Sequence, residues 1–299
     1  MHAHRRRRLT YGRIAALLLL AAVLAGVVVV AGNVAGVGDK VAGAVEKVAL
    51  LVNPPPDRPI EEGAVVTPKP DSTPTLAPGQ TPPPTPDPTP VPNREKMDVS
   101  LYRNPDKHFI TEIDHEWCAV AGTQMVLAAN GKAPLTEAFQ AELAGRIGEW
   151  ESRRDSRNGG WGPSAMVKAL ESYGVPGYEV RRYETRADAL RDAARAIEQF
   201  DAPVLLMAWR GAHTWVMTGF RSDADPLLFD DARISGAYVL DPWYPRVSSI
   251  WGPSDPPGTF QDASEMRRNY LPWERPEGAY PSRDGLFLAL VPTLPVLAP

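Results

Sequence analysis

The chain has 299 residues and a single cysteine, Cys118, inside the run Trp117-Cys118-Ala119-Val120-Ala121-Gly122. Apolar residues from Cys118 to Ala129, closed by Asn130-Gly131, predict a helix that starts at the cysteine. A helix N-terminus offers free amide donors and partial positive charge, which stabilise a thiolate and can face an oxyanion. The lone thiol has three readings: a buried small hydrophobe, an intermolecular partner or a nucleophile. A nucleophile needs a base. Of five histidines, His2 and His4 precede an apolar segment, and His108 and His115 come before the predicted sheet. His213 opens a predicted strand after the turn Arg210-Gly211-Ala212, where sheet packing would hold a base in place. Asp241 ends the next predicted strand, before Pro242; antiparallel neighbours would bring it beside His213 to fix the imidazole tautomer. An Asp before Pro also starts turns, so a structural Asp241 is the alternative.

These three side chains require a helix for the cysteine and a sheet for the other two. Further helices are predicted over Leu135 to Ser152, Pro163 to Tyr173 and Arg186 to Phe200. Pro203 to Trp209, His213 to Phe220, Ala237 to Asp241 and Gly285 to Val291 are β-rich runs, read as strands of one antiparallel sheet. An extended stretch, Asp98 to Ile113, opens the region. Helices first and strands later predict an α+β domain with helices packed against a sheet.

Only the C-terminal two-thirds has globular composition. Arg5 to Arg8 precede an apolar run from Ile14 to Gly32, long enough to cross a bilayer core. The expected organisation is a basic cytoplasmic N-terminus at 1–13, a transmembrane signal-anchor at 14–36, a juxtamembrane segment and Pro-rich linker at 37–96, and the globular domain at 97–299. Basic residues before the span predict an extracytoplasmic domain, and a cleaved signal peptide would export it as well. From Pro54 to Pro92 the chain holds nearly half of its 32 prolines. Such a segment excludes helix and sheet and would act as a semi-rigid stalk spanning on the order of 100 Å, free to approach a cell wall.

Other features point elsewhere or nowhere. A net charge of -4 without a basic stripe in the domain gives no support to nucleic-acid binding. One cysteine excludes an intramolecular disulfide framework and a Cys-based structural zinc site. Gly159 to Ser164 is read as a helix N-terminal turn with Trp161 packing, with a cleft-lining role as the alternative. Trp243, Tyr244, Trp251 and Trp273 fall in a late loop-rich segment suited to packing or to gripping a peptide or glycan. Asp223 to Asp231 lacks the spacing of a calcium loop and reads as a solvated hairpin.

The block from Trp117 to Leu127, then Gly211 to Phe220, then Val239-Leu240-Asp241-Pro242 resembles the papain-like cysteine peptidases related to the bacteriocin leader peptidases, the C-thirty-nine-like family, over roughly Val99 to Pro292. The resemblance implies a papain-like fold with Cys118 as nucleophile, His213 as general base and Asp241 as orienting carboxylate. It implies no metal and no organic cofactor, and a peptide or protein substrate. Two positions depart from the family pattern. Ala119-Val120 replaces Gly-Pro after the cysteine, and Glu112 stands where the family has an oxyanion-stabilising glutamine. An ionised carboxylate accepts hydrogen bonds, so Glu112 could donate only when protonated; otherwise a backbone amide at Cys118 carries the oxyanion. The expectation is a membrane-tethered extracytoplasmic cysteine peptidase or amide hydrolase. The alternatives are a papain-fold module that binds a peptide or wall ligand without turnover, and an acyltransferase or transpeptidase.

Overall fold

The computed structural model describes residues 54–67, 93–157 and 161–296, together with Val52. The predicted membrane segment and the central part of the proline-rich stalk lie outside the described residues. Among the described residues, no helix is long and apolar enough to cross a membrane.

The unit from Pro56 onward is a mixed α+β fold. Its strands are β1 (Val65–Val66), β2 (Met97–Ser100), β3 (Tyr178–Tyr183), β4 (Val204–Ala208), β5 (His213–Ser222), β6 (Ile234–Leu240), β7 (Val247–Ser248), β8 (Gly252–Pro253), β9 (Thr259–Asp262) and β10 (Phe287–Pro292). Its helices are α1 (Cys118–Ala129), α2 (Glu137–Gly145), α3 (Pro163–Ser172), α4 (Arg186–Phe200) and α5 (Ala263–Asn269). The main sheet runs β1-β3-β10-β4-β5-β6-β9, with β2 also paired to β5, and β7-β8 form a separate ribbon. β4 lies along the first half of β5, Val204 opposite Met217, and β2 along the second, Ser100 opposite Gly219.

Two apolar layers sandwich this sheet. One is built on α1 and α3, with Val120, Leu127, Met166 and Leu170 against Leu205, Val216 and Leu290. The other packs α4 and α5 against the opposite face through Leu190, Ile197 and Met266 with Leu206, Met217 and Val239. β4, β5 and β10 are buried almost throughout, so their sequences read as continuous apolar runs. α4 shows the end signals its sequence promises: Thr185 caps Asp188 N–H at 3.1 Å, and Asp201 closes it in the left-handed region at φ 55°.

Four expectations are corrected. The helix expected over Leu135 to Ser152 is α2 followed by a separate 3-10 turn, Ile147–Glu149, with Gly145 and Gly148 weakening its continuation. The sheet is antiparallel except at its edge, where Val65 and Val66 pair in parallel with Arg182 and Tyr183. That pairing also overturns the expectation that Pro54 to Pro92 excludes sheet, because residues 60–67 contain no proline and have the β3 edge to dock on. Strand β4 ends at Ala208 instead of Trp209, which adopts φ 50° and begins a tight turn.

Candidate active site

Cys118 is the first residue of α1. Gly122, one turn along, lets that helix lie directly on the sheet: a Cβ there would sit 3.0 Å from Thr214 Cγ2 and 3.2 Å from Leu205 Cδ2. The neighbour of Thr214 is His213, so this close approach sets the thiol against the imidazole. One side-chain atom each from Glu112, Cys118 and His213 lies within 4.8 Å of the others.

His213 begins β5 and is only 3% exposed. In the β5–β6 register Val216 faces Leu240, which puts Asp241, just beyond β6, at the same end of the sheet. His213 Nε2 lies 2.7 Å from Asp241 Oδ1. Asp241 Oδ1 also accepts from Trp243 N–H at 2.9 Å, which fixes the carboxylate in place. With Nε2 held by Asp241, Nδ1 is the nitrogen left to face Cys118. Burial works to lower the basicity of His213, but the negative charges of Asp241 and Cys118 overcome it and push the imidazole up to about 10.

Glu112 is fully buried. Its backbone N–H donates to Pro242 O at 3.0 Å, as does the Thr111 hydroxyl, so the stretch that carries it is tied to the residue after Asp241. From the other side, buried Gln140 accepts from Ile113 N–H at 2.8 Å and donates to Thr111 O at 3.2 Å, and it donates to buried Gln124 on α1. Arg246 Nη1 donates to Glu112 Oε1 at 3.1 Å, whereas Oε2 is buried without a hydrogen-bond partner. Burial, working against the charges of His213 and Arg246, raises the Glu112 carboxyl to about 7.

Glu112, Cys118 and His213 are also the only group among the described residues whose side chains could hold a metal ion. The Arg246 guanidinium beside Glu112 places a positive charge where a cation would need a negative one. His108 and His115 are not brought into this cluster. His108 stacks on Tyr102 at 3.8 Å, and His115 packs near Trp243 at 5.5 Å on the cleft wall.

Several participants carry no local sequence signal. Trp209 stacks on His213 at 4.0 Å and 19°, its indole N–H donates to buried Asn269 at 3.1 Å, and Trp251 stacks on it in turn at 5.8 Å. Trp209, Arg210 and Gly211 have φ values of 50°, 63° and 87°, a left-handed run between β4 and β5. At Gly211 a Cβ would come 2.4 Å from the Trp273 ring, so only glycine fits. Asp155 accepts from Ser164 and Ala165 N–H at 3.1 and 2.8 Å, capping α3, and pairs with buried Arg283 at 2.7 Å. Trp161 both packs on Trp150 at 5.4 Å and lines the cleft, while Gly159 and Gly160 lie outside the described residues.

The thiol and imidazole open onto a cleft of about 700 Å³ whose wall includes Trp161, Trp243, Trp273, Arg157 and Arg275. This arrangement can remove a proton from a thiol, attack an acyl carbon and protonate a leaving group.

A model of the Peptidase_C39 like family matches residues 96–270. Among solved structures, the chain is similar to the crystal structure of a double glycine motif protease from an AMS/PCAT transporter in complex with the leader peptide. The two are 19% identical over 62% of this chain and 91% of that one, with a TM-score of 0.31. No curated protein matches the chain.

Proposed function

Because the chain belongs to the Peptidase_C39 like family, we propose that it is a cysteine peptidase or amide hydrolase in which Cys118 is the nucleophile, His213 the base and Asp241 the orienting carboxylate. The observation that carries this reading is the buried His213 ring held between two partners, Asp241 at 2.7 Å on Nε2 and Cys118 within 4.8 Å. Cys118 Sγ loses its proton to His213 Nδ1 and attacks the acyl carbon. The carbonyl oxygen becomes an oxyanion, met by the Cys118 backbone N–H and by protonated Glu112. His213 returns the proton to the departing amine, leaving a thioester. Water, deprotonated by His213, then attacks the thioester and releases the acid and the thiol. An acceptor other than water would give acyl transfer by the same steps.

The substrate class is a peptide or protein. No metal or organic cofactor enters the reaction, because each proton and electron pair above is accounted for by these side chains and the substrate. The Arg5 to Arg8 cluster before the Ile14 to Gly32 run supports a single-pass membrane tether with the domain at 97–299 outside the cytoplasm. Exclusion of the domain from protease added to intact cells would sink that placement.

Alkylation by iodoacetamide at neutral pH tests the site. Cys118 should react much faster than free cysteine, at a rate that follows its ion pair with His213, and Cys118→Ala should abolish both labelling and hydrolysis. Equal labelling of wild type and Cys118→Ala, or alkylation no faster than free cysteine, would sink the reading. One observation favours a second reading, a binding module without turnover: ionised Glu112, paired with Arg246, accepts hydrogen bonds where the oxyanion needs a donor. That reading expects a slow thiol together with peptide binding.

A further inference from the structure

The cleft beside Cys118 has an excess of unmatched donors. Arg157 and Arg275 line it, and neither has a carboxylate partner among the described residues. The adjoining residues 158–160 are Asn-Gly-Gly and contribute no acid. Arg157 lies 6.0 Å from the Tyr280 ring centroid and Arg275 lies 5.8 Å from that of Trp251, contacts that orient a guanidinium without neutralising it. Trp273 lines the same cleft, edge-to-face with Tyr280 at 5.8 Å. Its indole N–H is buried with no acceptor, and so is that of Trp243.

The acids of the same wall are largely committed. Asp155 is neutralised by Arg283 and spends its oxygens on the N-terminus of α3. Glu116 also lines the cleft, two residues before the thiol in sequence. Past Tyr280 a second hollow of about 640 Å³ shares Arg157 with the cleft and is lined by Arg153 and Arg154 together with Asp57 and Glu62, Arg154 being paired with Asp57.

We infer that the cleft selects peptides carrying a carboxylate on the Arg157–Arg275 side of the scissile bond, a substrate class that rests on the peptidase reading above. Guanidinium groups grip carboxylates through paired N–H donors. The carboxylate has two sources, an acidic side chain or the chain's own C-terminus, and the shared chemistry is the same.

The test uses the full-length protein and a peptide library capped as N-acetyl and C-terminal amide, with one position fixed as Glu, Gln or Lys, plus the Gln set with a free C-terminus. Cleavage is read as kcat/KM, and binding to the Cys118→Ala form as fluorescence anisotropy. At one position Glu should exceed Gln by about tenfold, the scale of a charge-assisted hydrogen bond, and Lys should be worst. If the free C-terminus gives this gain instead, the carboxylate is the chain end. In Arg157→Glu/Arg275→Glu the order should reverse in favour of Lys, a ratio within one protein that partial unfolding does not change. Glu, Gln, Lys and the free C-terminus within twofold of one another, or an unchanged order in the double variant, would overturn the proposal. Cys118-dependent cleavage without charge preference overturns it and leaves the peptidase reading standing. Charge-selective binding with no turnover and no thiol labelling does the reverse.

Discussion

Glu112 offers one oxygen to Arg246 and leaves the other buried without a donor, beside a thiol and an imidazole. A carboxyl in that position donates to an oxyanion only while it is neutral. Burial first, then the charges of Asp241 and Asp114, raise it, and His213 and Arg246 oppose them, for a value of about 7. The neutral form is present below that pH and lost above it. Turnover should therefore fall as pH rises through about 7, by about tenfold per pH unit beyond it. Glu112→Gln keeps a donor at every pH, so its profile should lack that alkaline limb, and at pH near 8 it should outpace wild type by about tenfold. Arg246→Met removes a charge that lowers the carboxyl, so the limb should move to higher pH. Steady-state profiles of the three proteins decide the matter: a Gln variant that keeps the limb, or an Arg246 variant that moves it down, means that Glu112 is not the oxyanion donor.

The helix and the sheet meet through glycines, and their geometry fixes the distance between thiol and imidazole. At Gly122 an added Cβ would press Thr214 Cγ2 and Leu205 Cδ2 at 3.0 and 3.2 Å. Gly122→Val should cost about 1–3 kcal/mol by overpacking. Its activity should fall further than its fraction folded, because α1 must lift away from His213. Gly211→Ala, which forces a side chain into φ 87° and into the Trp273 ring, should cost at least about 1–2 kcal/mol. Urea unfolding checks both, and a Gly122→Val protein with wild-type kcat/KM per folded molecule would refute the coupling. Much of this meeting was legible in the sequence. The apolar run from Cys118 with its Asn130-Gly131 stop marked α1, and the β-rich runs around His213 and Asp241 marked β5 and β6 with both residues at strand ends. What stayed hidden depends on long-range partners. Trp209 reads as the continuation of a strand, and only Asn269, sixty residues later in the chain, shows why it turns left-handed over the imidazole. Strand β3 alternates only in part, and its burial comes from β10, more than a hundred residues away. Glu112 lies in an extended stretch with no periodicity, held by Gln140, Gln124 and Pro242 from three separate segments.

At the scale of the whole molecule, the residues just before the proline-rich stretch are bound to the domain that follows it. Ser152 accepts from Arg58 N–H at 3.1 Å and donates to Arg58 O at 2.6 Å, while the Arg58 guanidinium donates to the Gly148 and Glu149 carbonyls. Arg182 donates to Gly63 O at 2.6 Å, and Glu62 lies 3.2 Å from fully buried Arg283. Gly63 is so close to β3 that a Cβ would overlap Val180 O. Proline content alone places this segment in the stalk, yet the stretch from Ile60 to Thr67 contains no proline and ends in the strand that covers the sheet edge. Residues 56–66 therefore work as a clasp, bound to the same body as β2. A protein that begins at residue 56 should melt with the full chain. One that begins at Asn93 leaves Arg283 with Asp155 as its remaining carboxylate, takes the Gly63 carbonyl and the Glu62 carboxylate from Arg182, which keeps only the Ser282 carbonyl, and bares the β3 edge. Losing partners of buried charge costs about 3 kcal/mol, which for a domain of this size lowers Tm by on the order of 5–10 °C. The uncovered edge should also promote self-association, visible by size-exclusion chromatography as a concentration-dependent shift. Differential scanning of the two truncations separates the cases: equal Tm values would mean that the clasp contributes no stability and that the domain begins where composition alone would start it. A gap with restored Tm on adding back a peptide of residues 56–67 would place the contribution in the clasp itself.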